Sequence, residues 1–277
     1  MTRLKLERSL FRRMVRIARW FGYTGSRDDW RVFIENIKIG MRAKSAKWLA
    51  LTLLNVRRQV RIRISGVPIR VRTLTPDLEV AMSCLGGEFD RVCGAVPTLE
   101  RNLIIDAGGY IGTAAIAFAK KYPRAAIVSL EPNTGNFGLL AANTAPWPNI
   151  IAMNKALASE RSVSELFDRG TGEWGFTLIE TAADRTTSRI ESVECVTVDQ
   201  ILDQIGSAGA DIIKIDIEGG EHALLSRNIG WINKTKAICI ELHDRIVPGC
   251  SAVWQTAVAG RYNFHSDGEK EISLKVA

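Results

Sequence analysis

The chain has 277 residues, of which 46% are hydrophobic, so it can bury one sizeable core and carry a smaller appendage. Its five cysteines are odd in number and form no Cys-x-x-Cys pair. This usage argues against a zinc knuckle and a secreted disulfide framework, and it favours the cytoplasm. The longest apolar runs fall well short of a membrane-spanning helix, which needs about 20 residues.

The charge is divided unevenly along the chain. Residues 1–72 carry 19 Lys and Arg against 4 Asp and Glu, a net charge of +15, whereas the remaining 205 residues carry 18 against 26, a net charge of −8. Within residues 1–21, apolar side chains recur at helical spacing among arginines, which predicts a basic amphipathic helix. We favour docking of this helix on the acidic part of the chain or on a second copy in a homo-oligomer. The alternative is peripheral contact with the inner face of the membrane, while nucleic acid is not expected as a partner.

The segment that follows predicts a small appendage. The pattern from Asp28 to Arg58 indicates one or two helices. From Val60, apolar and charged residues alternate around Gly66 and Pro68, which predicts a β-hairpin. We place the domain boundary after residue 58, so that residues 1–58 form a basic helical extension and residues 59–277 the main domain.

The stretch from Arg101 to Pro132 predicts a strand, a glycine turn, a helix and a second strand. A continuous apolar run leads up to Asp106, as in a parallel strand that is covered on both faces. Glu131 ends the second strand, 25 residues after Asp106. This distance is close to the interval of about 20 residues at which an acid reaches ribose hydroxyls from the next strand. The pattern predicts an α/β fold with half of a nucleoside site.

The glycines of the turn indicate which nucleoside is bound. Gly108, Gly109 and Gly112 follow the acid, so the spacing differs from the G-x-G-x-x-G of dinucleotide enzymes. Glycines let the backbone approach a bulky ligand, and Asp106 could accept hydrogen bonds or face a positive charge there. A sulfonium-bearing amino-acid nucleoside fits this description. The structural alternative is an ordinary turn whose glycines only permit tight packing.

A second group of acids follows a later strand. The apolar residues before Asp216 predict a buried strand, which places this aspartate at the carboxyl edge, where open α/β sheets bind ligands. Glu218 can point into the same crevice, and Glu221 begins a helix, where an acid interacts favourably with the helix dipole. A glycine-rich stretch, Phe167 to Thr177, is interpreted as a mobile loop over the acceptor site, with an exposed connection between short strands as the alternative.

The next strand delivers Glu241 and His243 to the neighbouring edge, on one face. A hydroxyl acceptor needs a base within about 3 Å, and His243 or Asp216 could serve. We rank His243 first, because an unperturbed histidine titrates near neutral pH. Alternatively, a magnesium ion could be bound by a set of four carboxylates. This set consists of Asp216, Glu218, Glu241 and Asp244.

Several separate blocks carry a family resemblance. They are LIIDAGGYIGTAAIAFAK from Leu103, VSLEPNTGNFGLLAANT from Val128, VTVDQIL from Val196, DIIKIDIEGGEHALL from Asp211 and ICIELHD from Ile238. With these blocks the chain resembles the FkbM-type family of methyltransferases, from about Thr75 to its C-terminus. One departure is Tyr110, where the family usually has Asn.

The resemblance implies an α/β class I methyltransferase fold, with a doubly wound, mostly parallel seven-stranded Rossmann-like sheet. It implies S-adenosylmethionine as methyl donor and a hydroxyl oxygen of a sugar or glycosylated metabolite, free or lipid-linked, as acceptor. We assign catalysis to Asp216, His243 and Glu218, with no metal ligand. We assign the cofactor site to Asp106, Gly108, Gly109, Gly112, Glu131, Asn133 and Ala156. The alternatives are a nicotinamide-dependent oxidoreductase and an inactive protein that binds a partner or a membrane.

Overall fold

A computed structural model describes residue 34 and residues 37–266 and 269–276. The chain divides into two compact units, Met1–Met82 and Ser83–Ala277. The amphipathic helix predicted for residues 1–21 lies outside the described residues, and the domain boundary after residue 58 stays a prediction. Among the described residues, none of the helices combines the length and the apolar character needed to cross a bilayer.

The first unit contains the predicted hairpin. Residues 37–42 are helical, and helix α1 (Ala46–Leu53) begins where the Ser45 side chain accepts a hydrogen bond from the backbone N–H of Trp48. Strands β1 (Gln59–Ile64) and β2 (Val67–Arg72) pair antiparallel, with buried residues in alternation. Helix α2 (Asp77–Leu85) crosses into the second unit.

The second unit is built from alternating strands and helices. Its described helices are α3 (Asp90–Ala95), α4 (Thr113–Lys121), α5 (Thr134–Thr144), α6 (Val198–Ile205), α7 (Glu221–Ser226) and α8 (Cys250–Ala257), with a 3-10 helix at Ile229–Lys234. Its described strands are β3 (Leu103–Ala107), β4 (Ala126–Leu130), β5 (Ile150–Met153), β6 (Ala156–Leu157), β7 (Ser162–Asp168), β8 (Phe176–Thr177), β9 (Ser188–Val196), β10 (Ala210–Ile215), β11 (Thr235–Glu241), β12 (Tyr262–His265) and β13 (Lys270–Leu274).

The main sheet has seven strands in the order β12, β13, β11, β10, β3, β4, β5. The strands from β11 to β5 are parallel, while β13 runs antiparallel to β11 and β12 antiparallel to β13. The chain proceeds from β3 toward β5 and then returns to β10 on the other side of β3. This reversal opens a crevice at the carboxyl ends of β3 and β10, where such sheets bind ligands. The predicted doubly wound, mostly parallel α/β fold is confirmed.

The central strands are buried along their whole length. Every residue of β3 and β10 is buried, in agreement with the apolar runs that predicted them. Three charged residues interrupt this apolar core. Asp211 in β10 accepts backbone N–H groups, while the register makes Asp106 in β3 and Lys214 in β10 direct neighbours across the two strands. A buried charge is tolerated only when it is paired, so these two residues need each other.

A second sheet was not expected from the sequence. Strands β6, β9, β7 and β8 form it in that order, over a small cluster of buried residues that includes Ala156 and Leu166. The predicted loop from Phe167 to Thr177 includes the end of β7, a turn and β8. The turn therefore belongs to this second sheet. Thr177 lies in its last strand, β8, and donates a hydrogen bond to the carbonyl oxygen of Glu218.

Candidate active site

The glycine turn after β3 packs closely against its own protein. Gly108 adopts a φ of +77°, and a Cβ on it would overlap the carbonyl oxygen of Asp216. A Cβ on Gly109 would overlap the Ser129 hydroxyl, and one on Gly112, at a φ of +86°, would lie 2.8 Å from a methyl group of Thr144. The glycines are thus required by close packing against the end of β10, β4 and α5, and their contact with a cofactor stays a prediction. Tyr110 also lies in the left-handed region, at a φ of 49°.

Asp106 forms an ion pair with a buried side chain of the protein itself, Lys214. Its carboxylate lies 3.3 Å from the Lys214 ammonium and accepts a hydrogen bond of 2.7 Å from the Ser129 hydroxyl. The lysine also donates to the carbonyl oxygens of Ala107 and Gly108, at 3.1 and 2.6 Å. Burial disfavours the charged lysine, but Asp106 and then Asp216 outweigh it and raise the lysine's pKa. The expectation that Asp106 faces a ligand's positive charge is corrected accordingly: the partner is Lys214.

Glu131 ties the glycine turn to the end of β4. One carboxylate oxygen accepts the backbone N–H of Tyr110 at 2.9 Å, and the other accepts that of Asn133 at 3.0 Å. Burial raises the pKa of Glu131 to about 7, although these N–H donors favour the charged form. Oε1 also accepts the side-chain amide of Asn136 at 3.4 Å, whereas Oε2, which binds Tyr110, has a second lone pair to which a ribose hydroxyl can donate.

The two remaining residues assigned to the cofactor site have structural partners. Asn133 caps α5, because its side-chain oxygen accepts the backbone N–H of Asn136. Its amide donates to Glu191 at 2.7 Å. Ala156 is buried in β6 and pairs with Cys195 in the second sheet. Their contact with a cofactor stays a prediction.

The turn after β10 presents two carboxylates. Asp216 is the more open one, with 28% of its side chain exposed, against 15% for Glu218. Glu218 has a φ of 51°, a left-handed conformation that is uncommon for a non-glycine residue. Burial first, and then repulsion from Asp216, raises its pKa to about 7.

His243 lies completely buried between the ends of β10 and β11. Its Nδ1 is 3.0 Å from Glu221, whose carboxylate also accepts the backbone N–H groups of Ile217 and Gly219. Among the described residues, Nε2 has no partner with hydrogen-bond geometry. Glu221 therefore fixes the ring orientation, a role beyond the helix-dipole contact that the sequence indicated.

Three carboxylate oxygens face the free nitrogen of this ring. Nε2 lies 3.4 Å from Oε1 of Glu241, 3.8 Å from Oε1 of Glu218 and 3.9 Å from Oδ1 of Asp216. In each carboxylate the other oxygen lies beside a cation. The cation pairs are Lys214 with Asp216 at 3.8 Å, Lys270 with Glu241 at 3.0 Å and Arg169 with Glu218 at 2.6 Å. We call Asp216, Glu218, Glu241 and His243 the strand-end cluster.

This environment corrects the expected role of His243 as a neutral base. Burial lowers its pKa, but hydrogen bonding to Glu221 and the nearby carboxylates of Glu241 and Asp216 overcome this and raise the pKa to about 11. The surrounding carboxylates favour the protonated form of the ring and enclose Nε2, so the structure favours another group as the base. The expected magnesium set also needs correction, because Asp244 turns away and accepts hydrogen bonds from Gly249 and Ser251.

The sequence interpretation missed the cations of the site. Lys214 left a signal, because a lysine inside a fully buried strand must meet an acid. Arg169 and Lys270 left none, since they approach Glu218 and Glu241 from the β7–β8 turn and from β13, over long distances in sequence. The residues predicted for the donor and those predicted for the acceptor nevertheless lie at one edge of the main sheet. Lys214 contacts one residue of each group, Asp106 and Asp216.

Comparison with known proteins places this arrangement in a family. The model of the FkbM methyltransferase domain matches residues 106–258, which include Asp106, Glu131 and the whole strand-end cluster. The chain is also 22% identical over 212 residues to the hexuronic acid methyltransferase AglP of Haloferax volcanii, covering 74% of this chain and 83% of that protein.

Solved structures give similarities with low scores. The structure of TYW2 from M. jannaschii in complex with AdoMet has a TM-score of 0.39 and 11% identity, over 78% of this chain and 84% of that one. Monomeric WbdD has a TM-score of 0.38 and 10% identity, and the chain spans only 39% of its length. The family model, by contrast, covers more than half of the chain and the whole strand-end cluster. The chain therefore belongs to the FkbM-type family of S-adenosylmethionine-dependent methyltransferases.

Proposed function

We propose that this methyltransferase transfers the methyl group of S-adenosylmethionine to a hydroxyl oxygen of a sugar or a glycosylated small metabolite. The observation that carries the proposal is the strand-end cluster, which gathers carboxylates beside the edge that holds the glycine turn. The similarity to a hexuronic acid methyltransferase supports a sugar as acceptor. The family assignment replaces the oxidoreductase alternative. Cytoplasmic placement remains a prediction.

The donor would be held at the carboxyl ends of β3 and β4. Glu131 fits the ribose, because its buried carboxylate is fixed by two backbone N–H groups and its Oε2 keeps a lone pair for a hydroxyl donor. The backbone of the glycine turn, from Gly108 to Gly112, would contact the rest of the nucleoside. Asp106 would act indirectly, since its pairing with Lys214 positions the turn rather than contacting the donor.

The acceptor hydroxyl would lie against Asp216 and Glu218. Asp216 is the most exposed carboxylate of the cluster and would accept a hydrogen bond from the sugar. Glu218 is oriented by Arg169 through one oxygen, so its other oxygen can take the hydroxyl proton. His243 would be a positioning residue, because it holds the carboxylates and is itself closed to the acceptor.

S-adenosylmethionine supplies an electrophilic methyl carbon on its sulfonium. In the transfer, the acceptor oxygen forms a bond to that carbon as the carbon–sulfur bond breaks. The hydroxyl proton moves to Glu218. The contribution of the protein is alignment and the handling of this single proton.

Two measurements test the proposal. Calorimetry should detect binding of S-adenosylmethionine to the wild type and weaker binding to Glu131→Ala. Incubation with methyl-labelled donor and fractionated cellular glycans and lipids should transfer label to a sugar hydroxyl. Absence of donor binding would favour the inactive alternative, and label on protein would point to a macromolecular acceptor instead.

A further inference from the structure

The geometry points to a binding site for a divalent first-row transition metal ion formed by Asp216, Glu241 and His243. The site deepens the proposed function and rests on it for its purpose, because an ion there would lie beside the acceptor hydroxyl. Its evidence is independent of the donor site. The strand-end cluster alone would not suffice, since groups of acids are common on proteins without a metal.

The donor atoms converge as ligands do. One atom from each of the three side chains lies within 4.8 Å of the other two. Oε1 of Glu241 and Oδ1 of Asp216 are 3.4 and 3.9 Å from Nε2 of His243. Donors that share an octahedral ion at about 2.1 Å lie about 3 Å apart when adjacent and about 4.2 Å apart when opposite. Both distances from Nε2 fall within that interval.

The second observation is the buried ring nitrogen. His243 is completely buried, and its Nε2 is aimed at the carboxylate oxygens without a hydrogen-bond partner among the described residues. A buried polar atom left without a partner costs free energy. A metal ion at the centre of the cluster would displace the proton from Nε2 and satisfy this atom and both oxygens at once.

The other side of the imidazole supports the same role. Metal-binding histidines commonly donate their second N–H to a carboxylate, which fixes the tautomer and the ring plane. Nδ1 of His243 has this partner in Glu221, at 3.0 Å. Glu221 is completely buried and held by the N–H groups of Ile217 and Gly219, so the arrangement is rigid.

The cations around the cluster orient the carboxylates rather than fill the centre. Lys270 lies 3.0 Å from Oε2 of Glu241, and Lys214 lies 3.8 Å from Oδ2 of Asp216. Both lysines are shared, because Lys270 also pairs with Glu88 and Lys214 with Asp106. The two lysines are therefore shared among four carboxylates, and displacement of the Nε2 proton by an ion would leave negative charge on the inner oxygens. A dication fits that charge.

The mixed ligand set selects the class of metal. Magnesium prefers oxygen ligands, whereas imidazole suits transition metals. One imidazole and two carboxylates leave coordination positions open for water or for the acceptor hydroxyl, whose pKa a bound ion would lower. Glu218 would remain outside the ligand set, as the group that takes the proton.

The test uses the purified full chain, treated with EDTA and freed of the chelator. Manganese(II) is titrated in, and the free ion is followed by its electron paramagnetic resonance signal. We expect one ion per chain. Binding should weaken by about tenfold or more in His243→Gln and in Glu241→Gln. Asp244→Asn is the matched control and should bind as the wild type, because Asp244 points away from the cluster.

The measurements distinguish failure of the metal site from failure of the proposed function. Circular dichroism checks that each variant folds, and Glu241→Gln carries the test if His243→Gln does not fold. Absence of Mn²⁺ binding, or binding that is unchanged in the folded variants, would overturn the site. Displacement of Mn²⁺ by an equal concentration of Mg²⁺ would overturn the role of the imidazole. Affinity for S-adenosylmethionine is measured on the same metal-free protein, so that loss of donor binding counts against the proposed function and not against the metal.

Discussion

The ammonium of Lys214 lies 3.3 Å from the carboxylate of Asp106, and both side chains are buried in neighbouring strands of the central sheet. The pair joins the two halves of the site, because the lysine also lies 3.8 Å from Asp216. The acid that precedes the glycine turn is thus neutralised within the protein.

The first prediction concerns the contribution of this pair to the free energy of unfolding of the protein. Asp106→Ala and Lys214→Met should each destabilise the protein by about 3 kcal/mol, because each leaves a buried charge without its main partner. The double variant should be less destabilised than the sum of the single variants, by about 1 to 3 kcal/mol. Urea unfolding of the four proteins measures this coupling, and additive effects would show that the two charges do not interact.

The second prediction concerns the close approach of the glycine turn to β10. Gly108→Ala should destabilise the protein and reduce donor binding, because the new Cβ would push against the Asp216 carbonyl and the φ of +77° disfavours alanine. Gly138→Ala is the matched control. Gly138 lies in α5 with open space around it, so alanine there should be neutral or stabilising by up to about 1 kcal/mol. Thermal unfolding and donor calorimetry compare the two, and equal effects would contradict the packing argument.

The third prediction is a pH dependence of donor binding. Burial raises the pKa of Glu131 to about 7, so the acceptor form of the carboxylate is lost as the pH falls through that value. The apparent dissociation constant for S-adenosylmethionine should rise about tenfold between pH 8 and pH 6, in proportion to the ionised fraction. Glu131→Gln should bind more weakly but without this dependence. Parallel pH profiles in the two proteins would rule out Glu131 as the titrating contact.

Much of this arrangement was predictable, because buried parallel strands appear as continuous apolar runs. The strands β3, β10 and β11 were recognised in this way, and the carboxyl ends of parallel strands meet at one edge, which brought Asp216 close to His243. The second sheet was missed, because strand β9 is largely exposed and its apolar residues hardly alternate. The raised pKa of His243 was also missed, since it depends on Glu221 and Glu241 together.

The fourth prediction concerns Glu218 as the group that takes the proton. Glu218→Gln should lower kcat about 100-fold with the acceptor found in the labelling screen, because the amide cannot accept a proton. Donor affinity should stay within about twofold, since Glu218 lies on the acceptor side. Glu180→Gln is the control, because Glu180 is an exposed acid in the loop after β8. Unchanged kcat in Glu218→Gln would assign the proton to another group.

The contact between Glu221 and His243 has a consequence for protein engineering. Glu221 is bonded both to backbone amides of its own turn and to a histidine that follows the neighbouring strand. The two strand ends therefore form one interdependent unit. Grafting the turn of residues 216–221 into another sheet without residues 241–243 would leave a buried carboxylate without its partner. A chimeric enzyme would need both segments, together with the lysines that orient their acids.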